Sequence, residues 1–381
     1  MSIPFDYESL RVIWWLLLGV LLIGFAIMDG FDLGVAMLLP YVARTDTERR
    51  VMINAIGPVW EGNQVWLILG AGAIFAAWPP LYATAFSGFY IAMFLVLLSL
   101  IVRPVGFEFR NKFADAGWRR FWDYALFANG VVPSVVFGVA VGNLFQGVPF
   151  HIDSDLRVYY EGGGLFELLN PFGLFCGVLS AAMLATHGAV YLTLKTDGTV
   201  QARARDVVRF GAVATIVLFA LAGLWLWFGI DGYAITSTIV ANGPSNPTLK
   251  TVARMPHQWF ANYGLHPWTA IAPIMGLAGP LLALGFTALR LPILTFIGSA
   301  LGIFGIIATA GLSLFPFLMP SSTAPGVSLT VWDASSSRLT LFVMLVGTVL
   351  FLPLVIIYTA IVYRVLRGMI TESILKSGHH Y

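Results

Sequence analysis

Three acidic residues fall inside otherwise apolar stretches of the sequence. Asp29 and Asp32 lie in the segment MDGFDLG, and Glu61 lies in GPVWEGNQVWL. A charged side chain in a hydrocarbon environment costs at least about 2.5 kcal/mol, so each acid requires a partner, a bound proton or a function. A carboxyl group shielded from water can alternate between its neutral and charged forms, as a proton relay requires. These three acids are therefore the first candidates for chemistry.

The spacing of these residues predicts their arrangement on helices. Asp29 and Asp32 are three residues apart and share one face of a helix, while Asn54 and Glu61, seven apart, line one face of the next. Asp29 and Glu61 would each lie about 15–17 Å from the inner end of its helix, and therefore at one depth.

Two interpretations of the four residues remain open. Either Glu61, Asp29, Asp32 and Asn54 form a polar ladder that conducts protons, or the acids are hydrogen-bonded glue between helices. The amide and indole groups that could hold the acids in the second case belong to Trp60, Asn63, Gln64 and Trp66.

The rest of the chain predicts the helices that must position these groups. Of 381 residues, 58% are hydrophobic and 10% are charged, whereas a soluble domain carries roughly 25% charged residues. The apolar residues fall into blocks of about 20 or more, long enough to cross a bilayer. The sequence therefore predicts a single all-α integral membrane domain over residues 1–381. Its nine predicted transmembrane helices cover residues 12–40, 52–78, 80–102, 121–146, 165–193, 207–230, 267–288, 292–315 and 338–363.

Charge placement predicts the orientation of these spans. Sixteen of the 21 basic residues fall in the first, third, fifth and seventh connections and the C-terminal tail, which includes Lys376. The positive-inside rule therefore places the N-terminus outside the cytoplasm, on the periplasmic side, and the C-terminus in the cytoplasm. Arg103, at the predicted inner end of the third span, is expected to anchor that end at the interface or to contact lipid headgroups or a partner subunit.

The sequence predicts no metal site in this chain. A membrane haem needs axial ligands from facing helices and a copper centre needs several histidines, but of six histidines only His187 lies within a span. We expect His187 to be a hydrogen-bonded packing residue; His379 and His380 fall in the tail. The single Cys176 excludes a thiolate cluster, and no phosphate-binding loop, nucleophile elbow or nucleic-acid module is present.

Eight longer strings carry a family resemblance that covers more than 300 residues. They are LRVIWWLLLGVLLIGFAIMDGFDLGV, NAIGPVWEGNQVWL, FAAWPPLYATAFSGFY, RPVGFEFR, GVAVGNLFQGVPF, LLNPFGL, GIDGY and FPFLMPSSTAPGVSLTVWDASSSRLT. With these strings the chain resembles subunit II of the cytochrome bd-type ubiquinol oxidases, including their cyanide-insensitive relatives.

The resemblance implies a fold and a place in a complex. The fold would be two four-helix bundles plus one additional helix in a bacterial inner membrane. Subunit I would carry haems b and d and the quinol site, while this subunit holds subunit I, contacts membrane lipids and can bind a structural quinone. A small accessory subunit can also belong to such a complex. The complex would oxidise quinol, reduce dioxygen to water and generate a membrane potential.

The resemblance also favours one of the two interpretations of the acids. It places proton uptake from the cytoplasm at the acid of a W-[DE]-G-N motif, which is Glu61 in this sequence. Relatives often carry Asp at this position, preceded by His-Trp instead of Val59-Trp60. The alternative function is a proton-coupled secondary transporter, because helices interrupted by Gly or Pro with acids near the midplane are typical of such carriers.

Overall fold

A computed structural model of the chain describes residues 3–162 and 164–371. Lys376, His379 and His380 lie outside the described residues. Over the described residues the chain forms thirteen α-helices: α1 Tyr7–Val42, α2 Asp46–Ile56, α3 Trp60–Ala77, α4 Pro79–Gly88, α5 Tyr90–Phe109, α6 Ala116–Gln146, α7 Leu165–Leu168, α8 Pro171–Lys195, α9 Gly198–Gly229, α10 Ala261–Leu265, α11 Ile271–Ala288, α12 Pro292–Leu314 and α13 Arg338–Val365.

Several of the long helices begin at side chains that satisfy their first free amides. Asp6 accepts from the backbone N–H of Ser9 at the start of α1, and Asn170 and Ser337 play the same part for α8 and α13. Thr45 opens α2 with a reciprocal capping box. Polar residues between the apolar blocks therefore set where these helices start.

Eight of the described helices are long and apolar enough to cross a membrane. They are α1, α5, α6, α8, α9, α11 together with the 3₁₀ turn before it, α12 and α13. Each overlaps one predicted span. The third predicted span, 80–102, differs in extent, because the chain forms α4 first and then α5, which continues to Phe109.

The second predicted span, 52–78, is not one continuous helix. Helix α2 ends at Ile56, α3 begins at Trp60, and Gly57, Pro58 and Val59 form a turn between them. Pro58 has no amide hydrogen and cannot continue the helical hydrogen-bond ladder. The predicted shared face of Asn54 and Glu61 is therefore wrong: Asn54 is buried in α2, whereas Glu61 is exposed on α3.

Helix α1 packs against helices on both of its sides. It contacts α3 and α6 on one side and α8 and α12 on the other, and α5 packs on α6. The approach of α1 to α8 is close, because a Cβ atom on Gly34 would lie 2.1 Å from the carbonyl oxygen of Leu184 and 2.8 Å from the Cα of Gly188. Small residues let helix backbones meet in this way. Helix α1, which carries Asp29 and Asp32, therefore lies between these two groups of helices.

The helix ends divide the molecule into two faces. On one face lie the connections α1–α2, α5–α6, α8–α9 and α11–α12, and Lys195 ties the end of α13 to it by donating to the carbonyls of Leu366 and Gly368. The opposite face carries three antiparallel hairpins: β1 Phe150–Ile152 with β2 Val158–Tyr160, β3 Gly232–Ile235 with β4 Val252–Met255, and β5 Phe317–Met319 with β6 Leu329–Thr330. The first of these faces, called below the short-loop face, is the one that the positive-inside rule assigns to the cytoplasm.

Candidate functional site

The first aspartate of α1 forms an ion pair inside the helix bundle. Asp29 is fully buried, and its Oδ1 lies 2.5 Å from Nη1 of Arg103 on α5. The Arg103 Nε donates to Oδ1 of Asn129 on α6 at 3.0 Å, and the Asn129 amide donates to the carbonyl of Ser99 at 2.9 Å. The Arg103 guanidinium also lies 5.9 Å from the ring of Trp60. Asp29 therefore faces a fixed positive charge that joins three helices.

The expected role of Arg103 at the membrane interface is wrong. Because α5 continues to Phe109, Arg103 lies more than one turn before its end, and it is 1% exposed. Almost none of its surface is open to a lipid headgroup or a partner chain. Its guanidinium compensates the charge of Asp29 within the chain.

The second aspartate of α1 has a neutral partner. The Asn63 amide on α3 donates to Oδ2 of Asp32 at 2.8 Å, and the hydroxyl of Tyr363 on α13 donates to Oδ1 of Asn63 at 2.6 Å. The other oxygen of Asp32 is buried with no hydrogen-bond partner among the described residues. Asp32 is therefore a buried acid whose free oxygen could carry a proton, in contrast to the ion-paired Asp29.

Glu61 lies on the outside of the bundle, two residues before the Asn63 that contacts Asp32. Its neighbour Asn63 is buried against Asp32, whereas Glu61 itself is exposed in the first turn of α3. A helix N-terminus favours a carboxylate at that position. The predicted common depth of the acids is consistent with the Asp32–Asn63 contact, but the structure separates one surface acid from two internal ones.

The supporting motif residues have different environments. Trp60 and Asn63 are buried, and Gln64 and Trp66 are partly buried. Trp66 packs on α1, since a Cβ atom added to Gly24 would lie 2.5 Å from its ring. Of the amide and indole groups proposed as glue, Asn63 is the one that the structure brings onto an aspartate.

Three polar neighbours of the acids were not predicted from the sequence. Asn129 and Ser99 complete the surroundings of Arg103, and Tyr363 extends the Asp32 contact to α13. Asn129 could have been found, because an amide within an apolar span needs a partner. Tyr363 carries no such signal, because a tyrosine near the end of a span is also typical of an aromatic belt.

His187 makes no free nitrogen available to a metal or haem. Its Nδ1 lies 2.9 Å from the hydroxyl of Ser299 and its Nε2 lies 2.9 Å from the carbonyl of Ile27, and the residue is fully buried. The expected packing role of His187 is confirmed. Among the described residues, no group of three or more His, Cys, Asp or Glu could hold a metal ion.

Another carboxylate, Glu48, ties two connections of the short-loop face together. Glu48 accepts from the Arg203 guanidinium at 2.8 Å, from the Thr199 hydroxyl at 2.7 Å, and from the backbone N–H groups of Arg44 and Thr45. The hydrogen bonds from Arg203 are the main cause that lowers the pKa of the Glu48 carboxyl from 4.5 to about 2. Glu48 therefore joins the α1–α2 connection to the start of α9.

Known proteins resemble this chain over nearly its whole length. The family model described as cytochrome bd terminal oxidase subunit II matches residues 10–366. The chain is 50% identical to cytochrome bd-I ubiquinol oxidase subunit 2 of Escherichia coli over 375 residues, covering 98% of this chain and 99% of that protein. It is 34% identical to cytochrome bd ubiquinol oxidase subunit 2 of Bacillus subtilis, with 96% and 98% covered.

A solved structure supports the same fold. The bd oxidase from Geobacillus thermodenitrificans matches with a TM-score of 0.69 at 16% identity, covering 94% of this chain and 98% of that chain. At that identity the likeness concerns the fold alone. The family model and the relatives settle the classification: the chain belongs to the cytochrome bd terminal oxidase subunit II family.

Proposed function

We propose that this chain is the second subunit of a quinol oxidase complex in a bacterial inner membrane. The observation that carries the proposal is the 50% identity, over nearly the full length of both chains, to a protein named cytochrome bd-I ubiquinol oxidase subunit 2. In the overall reaction two quinols release four electrons and four protons as they become quinones. Those electrons and four protons taken up from the cytoplasm convert one dioxygen into two waters.

In this proposal haems b and d and the quinol-oxidising site belong to subunit I. The donor set of this chain supports that division, because His187 is occupied at both nitrogens. A structural quinone bound to this chain and a small accessory subunit remain predictions from the family resemblance.

The architecture proposed for the membrane has nine crossings. Helices α1, α3, α5 and α6 form one four-helix bundle, and α8, α9, α11 and α12 form the other, as their mutual contacts support. The interrupted pair α2–α3 supplies the second crossing and α13 the ninth. The N-terminus lies on the periplasmic side, and the short-loop face lies in the cytoplasm.

Glu61 is the proton-accepting group of this chain in the proposal. Its exposure on α3 allows the carboxylate to meet subunit I and pass a proton across the subunit boundary. Asp32, with one oxygen lacking a partner, buffers a proton behind it. Asp29 is paired with Arg103 and positions the cluster.

Asn54 has a smaller part in this path. Its amide donates to the carbonyl of Arg50 at 2.8 Å, within α2, and it no longer shares a helix face with Glu61. Asn54 is therefore proposed only as a polar residue on the approach from the cytoplasm. No observation favours the alternative of a secondary transporter.

The substitution Glu61→Gln tests the proton role in the purified complex. It removes the ionisable group and keeps the side-chain size. Because positioned proton-transfer groups contribute about 10²–10⁴-fold and water can partly replace a surface acid, we expect quinol-dependent oxygen uptake to fall about tenfold or more. The haem content should not change, since Gln keeps the size and polarity of the side chain and Glu61 is not packed inside this chain.

The matched control is Glu108→Gln, which neutralises another exposed acid near the short-loop face. It should leave oxygen uptake unchanged. If Glu61→Gln turned over like the control at equal haem content, Glu61 would be a structural residue and the proton path would lie elsewhere.

A further inference from the structure

A small cleft on the short-loop face lies between the ends of α8, α9, α11 and α12. Arg205 of α9 and Arg290 of the α11–α12 connection line it, and the start of α12 at Pro292 closes one side. The cleft lies away from the cluster around Asp29 and Asp32, on the other group of helices.

The two arginines of the cleft lack compensating carboxylates. Arg205 donates to the neutral Gln201 at 2.7 Å, and Arg290 has no side-chain hydrogen bond or ion pair among the described residues. Other arginines of this face are paired, for example Arg203 with Glu48. Arg205 and Arg290 both line the cleft and no acidic side chain does, so no carboxylate opposes their two positive charges there.

Besides the two arginines, the start of one helix adds to the affinity of the cleft for an anion, whereas its threonine walls are neutral. Thr193, Thr287 and Thr295 line it and are buried, and each donates its hydroxyl hydrogen to a carbonyl of its own helix. Helix α12 starts beside them with no side-chain cap at Leu291. Its positive end therefore adds to the field of the arginines.

The surroundings of the cleft are those of a membrane surface. Leu289, directly after α11, and Ile293, in α12, flank it and are 67% and 65% exposed, and both helices are apolar enough to lie in the bilayer. An anion bound between the arginines would thus have apolar surface directly beside it. Basic pockets between transmembrane helices bind lipid headgroups in this way.

We propose that this cleft binds the phosphate of an anionic phospholipid. The headgroup phosphate lies between Arg205 and Arg290, and the acyl chains follow the exposed apolar side chains of α11 and α12. The site does not depend on the proton role proposed for Glu61.

Native mass spectrometry of the intact complex with added phosphatidylglycerol tests the site. The test variant is the double substitution Arg205→Gln/Arg290→Asn. Asparagine suits position 290 because Arg290 has a φ of 58°, a left-handed conformation that Asn adopts readily. Each arginine near a membrane surface contributes about fivefold to the binding of an anionic lipid, so the double variant should bind about 25-fold more weakly.

The control variant is Arg209→Gln, which removes an exposed arginine of α9 paired with Asp206. It should bind phosphatidylglycerol as the unaltered complex does, and phosphatidylcholine should bind more weakly than phosphatidylglycerol to both. Equal phosphatidylglycerol binding by the double variant and the control would overturn the site. Displacement of the lipid by an equal concentration of inorganic phosphate would identify a soluble-anion site and overturn the lipid assignment.

Discussion

At the residue scale, the two aspartates of α1 differ in what compensates their charge. Asp29→Asn leaves Arg103 buried without a counter-charge, which we expect to cost about 3–5 kcal/mol. Asp32→Asn keeps an oxygen for the Asn63 amide and removes only an ionisable group. Asp29→Asn should therefore lower the yield and thermal stability of the complex, whereas Asp32→Asn should assemble normally.

The double variant Asp29→Asn/Arg103→Gln separates charge from packing. Since replacing both partners of a buried pair removes the uncompensated charge, it should be more stable than the sum of the single losses predicts. Purified yield, haem content and melting temperature would be measured for the unaltered complex, Asp29→Asn, Arg103→Gln and the double variant. Normal assembly of Asp29→Asn would contradict the ion-pair interpretation.

Glu48 gives a pH-dependent prediction, also at the residue scale. Its pKa is lowered from 4.5 to about 2, mainly by hydrogen bonds from Arg203, so its contribution is full above pH 4.5 and is lost as the pH falls through about 2. One pKa unit corresponds to about 1.4 kcal/mol and solvent near the surface screens part of the interaction, so the contribution is on the order of 2 kcal/mol. Glu48→Gln should therefore lower the melting temperature at pH 7, and the difference from the unaltered protein should shrink below pH 4.5. Glu108→Gln should show no such trend; a constant Glu48→Gln difference down to pH 3 would refute the assignment.

At the scale of elements, the crossing of α1 and α8 holds the two groups of helices together. Gly34→Ala would place a methyl group against the backbone of α8, whereas Gly19, on the same helix, has open space around it. Overpacking costs about 1–3 kcal/mol, so Gly34→Ala should lower the melting temperature of the complex. Gly19→Ala should leave the melting temperature unchanged. Equal melting temperatures of the two variants would mean that α1 and α8 can move apart enough to accept the methyl group.

At the scale of the whole molecule, the orientation in the membrane can be tested with single cysteines. The only native cysteine, Cys176, is buried and should give little background labelling. In intact cells, with the outer membrane made permeable, an impermeant maleimide should label Val240→Cys, which lies on the face opposite the short-loop face, and spare Asp197→Cys in the α8–α9 connection. Both positions are exposed, so lysed cells should label at both. Labelling of Asp197→Cys alone in intact cells would show that the true topology is the reverse of the proposed one.

The sequence by itself determined the class of protein, most of the membrane helices and the family. These rest on long apolar blocks and on strings of residues along the chain, which need no knowledge of contacts. The candidate acids were also found this way, because a carboxylate in an apolar block is costly wherever the helix packs.

Only the tertiary structure decided what each candidate residue does. The partners of Asp29 and Asp32 lie on α3, α5 and, through Asn63, α13, so sequence spacing could not identify them. Pro58 broke the helix face assumed for Asn54 and Glu61, and the length of α5 moved Arg103 from the interface into the interior. The physical reason is common to all of these: burial and charge pairing depend on which helices pack together, and the order of residues along one helix does not specify its neighbours.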